Sequence, residues 1–332
     1  MTPLYLIPIV VFSFLIIENF PVRNTFSVKM FFLLILFLSV FTVFRNPDLA
    51  DYANYKAFYY EGFDSHRFEP TAKLIRVISP SLFLFFFFYA FISIGFKTYA
   101  IGKNSSNPIF SLITYLSTSF ALHDMIQIRV SCAIGIFWIS LHFLQNRQYI
   151  KYVLVNVLGC FFHISAIIFL ILPFLSSKKF HSRFWIFFIP FSYVLAIIHF
   201  DFFDILAIFL PKESYVFVTI FSHKDANINI YNINQLLRII IFIFFCVNKK
   251  RISNENLIIL KIFGLSIVAL PLLSSMPVVG YRISEMLGTV IVFLLPQLII
   301  CSKNKSNGYL FFIICCFMFC YLNNVHNKYG LI

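Results

Sequence analysis

The sequence has few charged residues: they make up only 12 % of its 332 positions, whereas 60 % are hydrophobic. A soluble globular domain carries about 25 % charged residues, so this composition excludes one. The stretches 28–44, 81–96 and 257–273 each hold 15 or more nearly uncharged residues and need lipid around them. They lack the period-two alternation of barrel strands. The sequence therefore predicts an all-α, polytopic transmembrane helical bundle.

Motifs of soluble enzymes are absent as well. The chain contains no GxGxxG, GxxxxGK[ST], GxSxG or HExxH, and we predict neither a cofactor nor a metal. Its seven cysteines form no CxxC pair, which indicates neither disulfides nor a zinc site. Residues 1–20 lack a basic segment and a small-residue cleavage site, so they predict a retained first span rather than a signal peptide.

Long apolar runs follow one another along the whole chain, without a fixed repeat or a soluble domain. We therefore predict a single polytopic membrane domain over residues 1–332. Its predicted spans are 3–18, 28–44, 80–97, 108–122, 130–146, 184–200, 235–248, 257–275, 284–301 and 309–322.

The distribution of the net charge of +13 predicts an orientation and argues against nucleic acid as a partner. Basic residues concentrate in six short loops, which we place in the cytoplasm because cytoplasmic loops are rich in Lys and Arg. The loops carry Arg23/Lys29, Lys97/Lys103, Arg147/Lys151, Lys178/Lys179/Arg183, Lys249/Lys250/Arg251 and Lys303/Lys305. The opposite loops hold nearly all the carboxylates. The predicted location is the bacterial inner membrane, with the active face outward.

The stretch between two of these basic loops is too short for two crossings. About 26 residues separate Lys151 from Lys178, whereas two full spans need roughly 40. One interpretation is that Tyr152–Leu175 dips into the membrane and turns back near Gly159–Ser165, with His163 at membrane depth. With this dip the chain makes ten crossings and both termini lie outside; counting 152–175 as a span gives eleven. The alternative is that 152–175 is one plain span and the basic loop after it breaks the rule.

Two large outer loops follow from this topology, 45–79 and 201–234. In the first, Tyr52, Tyr55 and Tyr59 are spaced as one stripe of a helix. Such a stripe suits a surface that touches sugar and lipid headgroups, or equally an aromatic belt at the membrane interface. Apolar stretches in the second loop predict interfacial helices.

Several charges lie at the predicted outer ends of spans, and ionisable groups near lipid are functional candidates by default. They are Arg45, Asp51, Glu69, Asp124, Arg129, Arg282 and Glu285. Arginine offers a planar fork of donors for phosphate oxygens, although each could instead anchor the protein to lipid phosphates. Arg282 and Glu285, at i and i+3, could form a simple ion pair. His163 is either a base or a hydrogen-bonded packing residue.

Three blocks, in this order, resemble the EpsG-type, Wzy-like polymerases of bacterial polysaccharide synthesis. They are Arg45 with DYANY (51–55), the segment IRVSCAIGIFWISLHFL around Arg129, and FHISA (162–166). Glu69-Pro70 and Arg282 also agree, and the resemblance covers about residues 28–300.

The chain departs from the family pattern at two places. Leu49-Ala50 stands where the family often has Gly-Thr, which changes loop flexibility near Asp51. Val130 follows Arg129 where the family often has Gln, which removes an amide that could hydrogen-bond sugar.

The resemblance implies a membrane glycosyltransferase, similar to GT-C-type lipid-linked enzymes, that joins repeat units on undecaprenyl pyrophosphate into O-antigen, capsule or exopolysaccharide. It would use no metal and no nucleotide sugar. Its partners would be the bilayer, the lipid-linked oligosaccharide, and a flippase and chain-length regulator of the same pathway. We assign Arg129 and Arg282 to the pyrophosphate, with Arg45 as a weaker third.

The remaining candidates serve proton transfer and sugar binding. His163 is the predicted general base, with Asp51 as its alternative. Tyr52, Tyr55 and Glu69 would line the sugar path, with Glu285 beside Arg282. The competing functions are a flippase of lipid-linked sugar, an O-antigen ligase and a membrane acyltransferase. A flippase should show paired repeats with broken helices, whereas the DYxxY block favours the polymerase.

Overall fold

The computed structural model describes residues 25–62, 68–175, 180–200 and 229–323, and every regular element in these ranges is helical. The predicted first span, 3–18, and most of the second outer loop, 201–234, lie outside the described residues. The helices, in chain order, are α1 (Thr25–Val43), α2 (Tyr52–Glu61), α3 (Pro70–Ile78), α4 (Leu82–Asn104), α5 (Pro108–Thr118), α6 (Ile128–Gln145), α7 (Tyr149–Phe162), α8 (Ser182–Ile197), α9 (Ile233–Val247), α10 (Asn254–Leu272), α11 (Pro277–Gly288), α12 (Ile291–Leu294), α13 (Gln297–Cys301) and α14 (Lys305–Tyr321). A π-helical turn (Phe120–Asp124) follows α5, and a 3₁₀ segment (Ile164–Phe174) follows α7.

Among the described residues, four helical stretches are long and apolar enough to cross a membrane: Leu82–Asn104, Ile128–Gln145, Glu255–Leu272 and Pro277–Leu294. Seven further apolar helices in the same ranges are shorter, between 10 and 17 residues. Together they confirm the predicted class, an all-helical polytopic membrane protein.

The chain divides into two compact units, the first formed by residues 1–173 with 310–332 and the second by 174–309. In the first unit, α4 packs along α6, α6 along α7, and α1 along α4. Gly135 on α6 makes the closest of these approaches possible. A Cβ at this position would lie 2.8 Å from Phe96 Cβ and 3.3 Å from the Ser93 carbonyl oxygen.

An aromatic core fills the space between α2, α3, α4 and the start of α6. Phe58 stacks on Phe68 with 3.8 Å between ring centroids, and both rings are buried. Phe85 and Phe86 of α4 close this cluster. The short helices of the loop 45–79, which was predicted to be an outer loop, are therefore anchored to the bundle by ring packing, which positions their polar ends.

The chain reverses direction between α7 and the 3₁₀ segment. The hydroxyl of Tyr152, near the start of α7, donates to the carbonyl of Phe169, at 2.8 Å. Gly159 lies close to Ala166, because a Cβ on this glycine would be 3.5 Å from the alanine Cβ. The backbone is extended at His163, between the two limbs. These residues form a broken hairpin of two antiparallel limbs.

The broken hairpin turns where the sequence predicts it, near 159–165, and the alternative of one plain span over 152–175 is wrong. The limbs have 14 and 11 residues, about 21 Å at 1.5 Å per α-helical residue and about 22 Å at 2.0 Å per 3₁₀ residue. Neither limb reaches the roughly 30 Å of a hydrocarbon core.

The second unit is built around α10, which packs against α8, α9 and α11. Gly264 on α10 allows this, since an added Cβ would lie 2.8 Å from the Trp185 ring and 2.9 Å from the Phe242 ring. The bulky aromatic side chains of α8 and α9 thus lie directly on the backbone of α10.

Two predicted spans differ from the observed helices. The span predicted at 80–97 continues to Asn104, so Lys97 lies inside α4 and not in a loop. The span predicted at 284–301 begins at Pro277 and is interrupted twice, giving α11, α12 and α13. A proline in the first turn fixes the helix start. Arg282 therefore lies within a candidate span and does not precede one.

Candidate functional site

An arginine and a glutamate form an ion pair at the start of α6. Arg129 Nη1 donates to Glu69 Oε2 at 2.5 Å, and the two side chains are 18 % and 12 % exposed. Glu69 is extended and immediately precedes Pro70, the first residue of α3. The residues are 60 positions apart in the chain. Packing of the loop 45–79 therefore brings a carboxylate from one predicted block to the arginine of another.

The same carboxylate also contacts the broken hairpin. Glu69 Oε1 accepts the backbone N–H of Ile164 at 3.3 Å, at the start of the 3₁₀ segment. The first N–H groups of a helix lack partners within it and carry partial positive charge. Beside this contact, the Thr71 hydroxyl donates to the Phe161 carbonyl at 2.6 Å. The start of α3 is thus fixed to the hairpin on both sides of His163.

His163 lies at the break and is 5 % exposed. Its Nδ1 accepts the backbone N–H of Ser165, at 3.2 Å. A neutral imidazole that accepts at Nδ1 carries its proton on Nε2. In this geometry His163 is a hydrogen-bond donor at Nε2. The base role predicted for it requires the bond to Ser165 to be given up.

Aromatic rings fix the orientation of the Arg129 guanidinium. Its central carbon lies 4.3 Å from the ring centroid of Phe68 and 5.8 Å from that of Tyr55. Arg129 also hydrogen-bonds the Tyr55 hydroxyl, and burial raises the pKa of this phenol, to which the nearby charge of Asp51 adds. Tyr55 therefore stays protonated at neutral pH. Asp51, at the start of α2, is half-buried.

The predicted tyrosine stripe faces the protein core. Tyr52 stacks on Phe86 at 5.5 Å between centroids, and Tyr55 is 3 % exposed. The Tyr59 hydroxyl donates to the Ser79 carbonyl at 2.7 Å. Of the two tyrosines predicted to line a sugar path, Tyr55 brings its hydroxyl to Arg129, whereas Tyr52 packs its ring in the core.

Arg45 holds the backbone that leads into α6. Its Nε donates to the Thr42 carbonyl at 3.0 Å, and its Nη1 donates to the Met125 carbonyl at 2.9 Å. The guanidinium lies over the Phe86 ring, 4.2 Å from the centroid. Burial lowers its pKa to about 10. Nη2 is buried with no hydrogen-bond partner among the described residues. Two of the three guanidinium nitrogens of Arg45 thus bind backbone carbonyls. The role predicted for Arg45 was binding of pyrophosphate.

A buried ion pair that the sequence analysis did not predict lies beneath the site. Lys97 Nζ contacts Asp124 Oδ2 at 2.7 Å, and both side chains are fully buried. Ser131, two residues after Arg129, accepts from Lys97 at 2.5 Å and donates to Asp124 at 2.7 Å. Lys97 was predicted in a cytoplasmic loop and Asp124 at an outer span end, and their direct contact contradicts that pair of placements. In the sequence, the indication of this ion pair was that two residues of opposite charge lie at the edges of two apolar runs.

Arg282 and Glu285 lie on α11 in the second unit, where Arg282 is exposed and Glu285 half-buried. The negative charge of Glu285 acts on Arg238 of α9. Arg238 Nη1 donates to the Ser284 hydroxyl and carbonyl at 3.2 and 3.3 Å. Arg238 is not among the residues predicted for the site, although a lone arginine in the apolar run of α9 was the signal.

The site of the first unit combines a guanidinium, a carboxylate and a phenol, with the imidazole of His163 at the adjacent break of the hairpin. This set can hold anionic oxygens and accept one proton. Within the described residues, no group of three or more His, Cys, Asp or Glu side chains is placed to hold a metal ion.

These observations define a polytopic helical membrane protein in which the loop 45–79 and the broken hairpin meet at an Arg–Glu pair. The chain belongs to the EpsG family, whose model matches residues 28–332. No curated protein and no solved structure matches it. Membership of this family indicates a polysaccharide-polymerase-like role in the membrane and is consistent with a glycosyltransferase-like polymerase.

Proposed function

We propose that this protein is a membrane glycosyltransferase that joins oligosaccharide repeat units, carried on undecaprenyl pyrophosphate, into a surface polysaccharide such as O-antigen. The reaction would take place at the outer face of the inner membrane. Family membership supports the polymerase class. One structural observation carries the site assignment: Glu69 joins Arg129 to the start of the 3₁₀ segment, next to His163.

The reaction needs few catalytic side chains, because the donor sugar already carries a good leaving group. The protein has to stabilise negative charge on the pyrophosphate while the glycosidic bond breaks. A donor held in position for such charge contributes roughly 3–4 kcal/mol. Arg129 is such a donor, since Phe68 and Tyr55 fix its plane. The Nε2 proton of His163 is a second.

The acceptor sugar has to lose a hydroxyl proton, and a general base contributes about 10²–10⁴-fold to the rate. The candidates are the Glu69 carboxylate, which is paired with Arg129, the Asp51 carboxylate, whose charge acts on Tyr55, and His163 in its other tautomer. Arg282 lies in the second unit, and its pyrophosphate role stays a prediction from the sequence.

The test is chain length in a deletion strain complemented with variants. We expect loss of the gene to leave a single repeat unit on its acceptor, and Arg129→Ala to restore no polymer at normal expression. Arg183→Ala is the matched control, because Arg183 is exposed in the first turn of α8 and should restore normal length.

Two results would contradict the proposal. Polymer of normal length in the deletion strain would exclude a polymerase. Loss of all repeats, with lipid-linked units trapped inside the cell, would indicate a flippase.

A further inference from the structure

The Glu69 carboxylate occupies a position suited to an anion from outside. Both of its oxygens contact groups that bind anions: Oε2 accepts from the Arg129 guanidinium at 2.5 Å, and Oε1 accepts the Ile164 N–H at 3.3 Å. Arginine and helix N-termini are the usual protein ligands of phosphate. A side-chain carboxylate here satisfies the donors that a phosphate would satisfy.

We propose that Glu69 is an internal stand-in for the substrate pyrophosphate, and that its displacement by the substrate releases it to act as the general base. This inference rests on the proposed polymerase function and specifies how its site would work. It assigns the base to Glu69 in place of His163 and Asp51.

The geometry allows the exchange. The pair is partly exposed, with 18 % of the Arg129 side chain and 12 % of the Glu69 side chain accessible, so a phosphate can reach it. Arg129 keeps its orientation when Glu69 leaves, because its contacts with Phe68 and Tyr55 do not involve the carboxylate.

The donor set also fits a phosphate better than a carboxylate. A phosphate presents more acceptor oxygens than the two of Glu69, and two kinds of donor meet at this carboxylate, the guanidinium fork of Arg129 and the Ile164 N–H. The Nε2 proton of His163, the residue before Ile164, would be a third donor. The hydrogen bond from Ser165 to His163 Nδ1 maintains the donor tautomer, which gives this histidine a phosphate-binding role.

The proton and electron pairs balance in the resulting step. The acceptor hydroxyl gives its proton to the freed Glu69 carboxylate while its oxygen forms a bond to the anomeric carbon of the donor sugar. The bond from that carbon to the pyrophosphate oxygen breaks, and its electron pair leaves with the lipid pyrophosphate held by Arg129. Glu69 then loses its proton to water and pairs again with Arg129 when the lipid departs. The Glu69 carboxylate is therefore available as a base only after the lipid-linked donor substrate has bound.

The test compares binding and catalysis in full-length protein reconstituted in lipid nanodiscs. The probe is undecaprenyl pyrophosphate without sugar. We expect Glu69→Gln to bind the probe about tenfold more tightly, equivalent to about 1.4 kcal/mol, because an uncharged amide competes less well for Arg129. The same variant should build no polymer. Glu69→Asp keeps a carboxylate and should retain part of the activity.

The matched control is Glu61→Gln, since Glu61 is exposed at the end of α2 and should change neither binding nor chain length. Thermal unfolding of each variant shows that it is folded. Unchanged or weaker probe binding by folded Glu69→Gln, or polymer made by it, would overturn the inference while Arg129→Ala still tests the polymerase. Absence of probe binding by wild type and variant alike would overturn both.

Discussion

The carboxylate of Asp124 is surrounded by four buried partners. It accepts hydrogen bonds from Tyr115 and Ser93, at 2.8 and 2.6 Å, in addition to those from Lys97 and Ser131. Removing one member of a buried pair leaves an uncompensated charge, whereas removing both can be nearly neutral. The loss of folding stability should therefore depend on whether one member of the pair is replaced or both.

We predict that Lys97→Met and Asp124→Asn each destabilise the protein by about 3–5 kcal/mol. The double variant should recover most of this loss. The measurement is the yield of monodisperse protein and its thermal unfolding midpoint in detergent. Additive losses in the double variant would show that the two side chains act independently.

Single residues also show what the sequence could and could not predict. Arg129, Glu69 and His163 were selected from the sequence, and the structure brings their segments together. The pairing of Glu69 with Arg129 could not be predicted, because it depends on how α2 and α3 fold back onto α6. Lys97 was misplaced because a charge near the end of an apolar run resembles a loop residue.

Helix packing in the first unit depends on the contact between α4 and α6. Gly135 lies where the backbone of α4 comes closest, whereas a Cβ added to Gly95, on α4 itself, would meet no atom within 4 Å. The two glycines therefore form a matched pair of helical positions that differ in the space around them.

We predict opposite effects of alanine at these two positions. Gly135→Ala forces α4 and α6 apart and should lower the unfolding midpoint, because overpacking costs about 1–3 kcal/mol. Gly95→Ala should raise stability by up to about 1 kcal/mol through helix propensity. Thermal unfolding in detergent checks both. A stabilising Gly135→Ala would contradict the close approach described here.

Most helices could be predicted from the apolar runs, since α1, α5, α6, α8, α9, α10 and α14 lie within a few residues of predicted spans. The interruption between α11 and α12 could not, because Thr289 and Val290 lie in an otherwise apolar run. The interruption between α12 and α13 falls at Pro296, and a proline inside an apolar run is a sequence signal for a helix break. The hairpin was predictable because counting residues between basic loops is a geometric constraint. Its 3₁₀ limb was not, since it depends on packing.

Across the whole molecule, sidedness is a prediction from the charge distribution that labelling can test. Tyr60 lies in the predicted outer loop and is 62 % exposed, and Lys250 lies in a predicted cytoplasmic loop and is exposed. Of the native cysteines, six are buried and Cys160 is half-buried, so background labelling should be low.

We expect a membrane-impermeant maleimide to label Tyr60→Cys in intact cells, and to label Lys250→Cys only after the membrane is opened. The unmodified protein measures the background. The reverse pattern would invert the topology and place the Arg129–Glu69 site on the cytoplasmic face, where a polymerase of exported repeat units could not act.

The short limbs of the hairpin affect the surrounding lipid as well as the protein. The limbs are about 21 and 22 Å long and a hydrocarbon layer is roughly 30 Å thick. If the hairpin enters from the cytoplasmic side, as the charge distribution predicts, its break at His163 lies inside the layer. Hydrophobic mismatch of this kind makes the bilayer thin or lets water in, at a cost of fractions of a kcal/mol per Å. The thickness of the membrane would therefore change the surroundings of His163 without a ligand binding there.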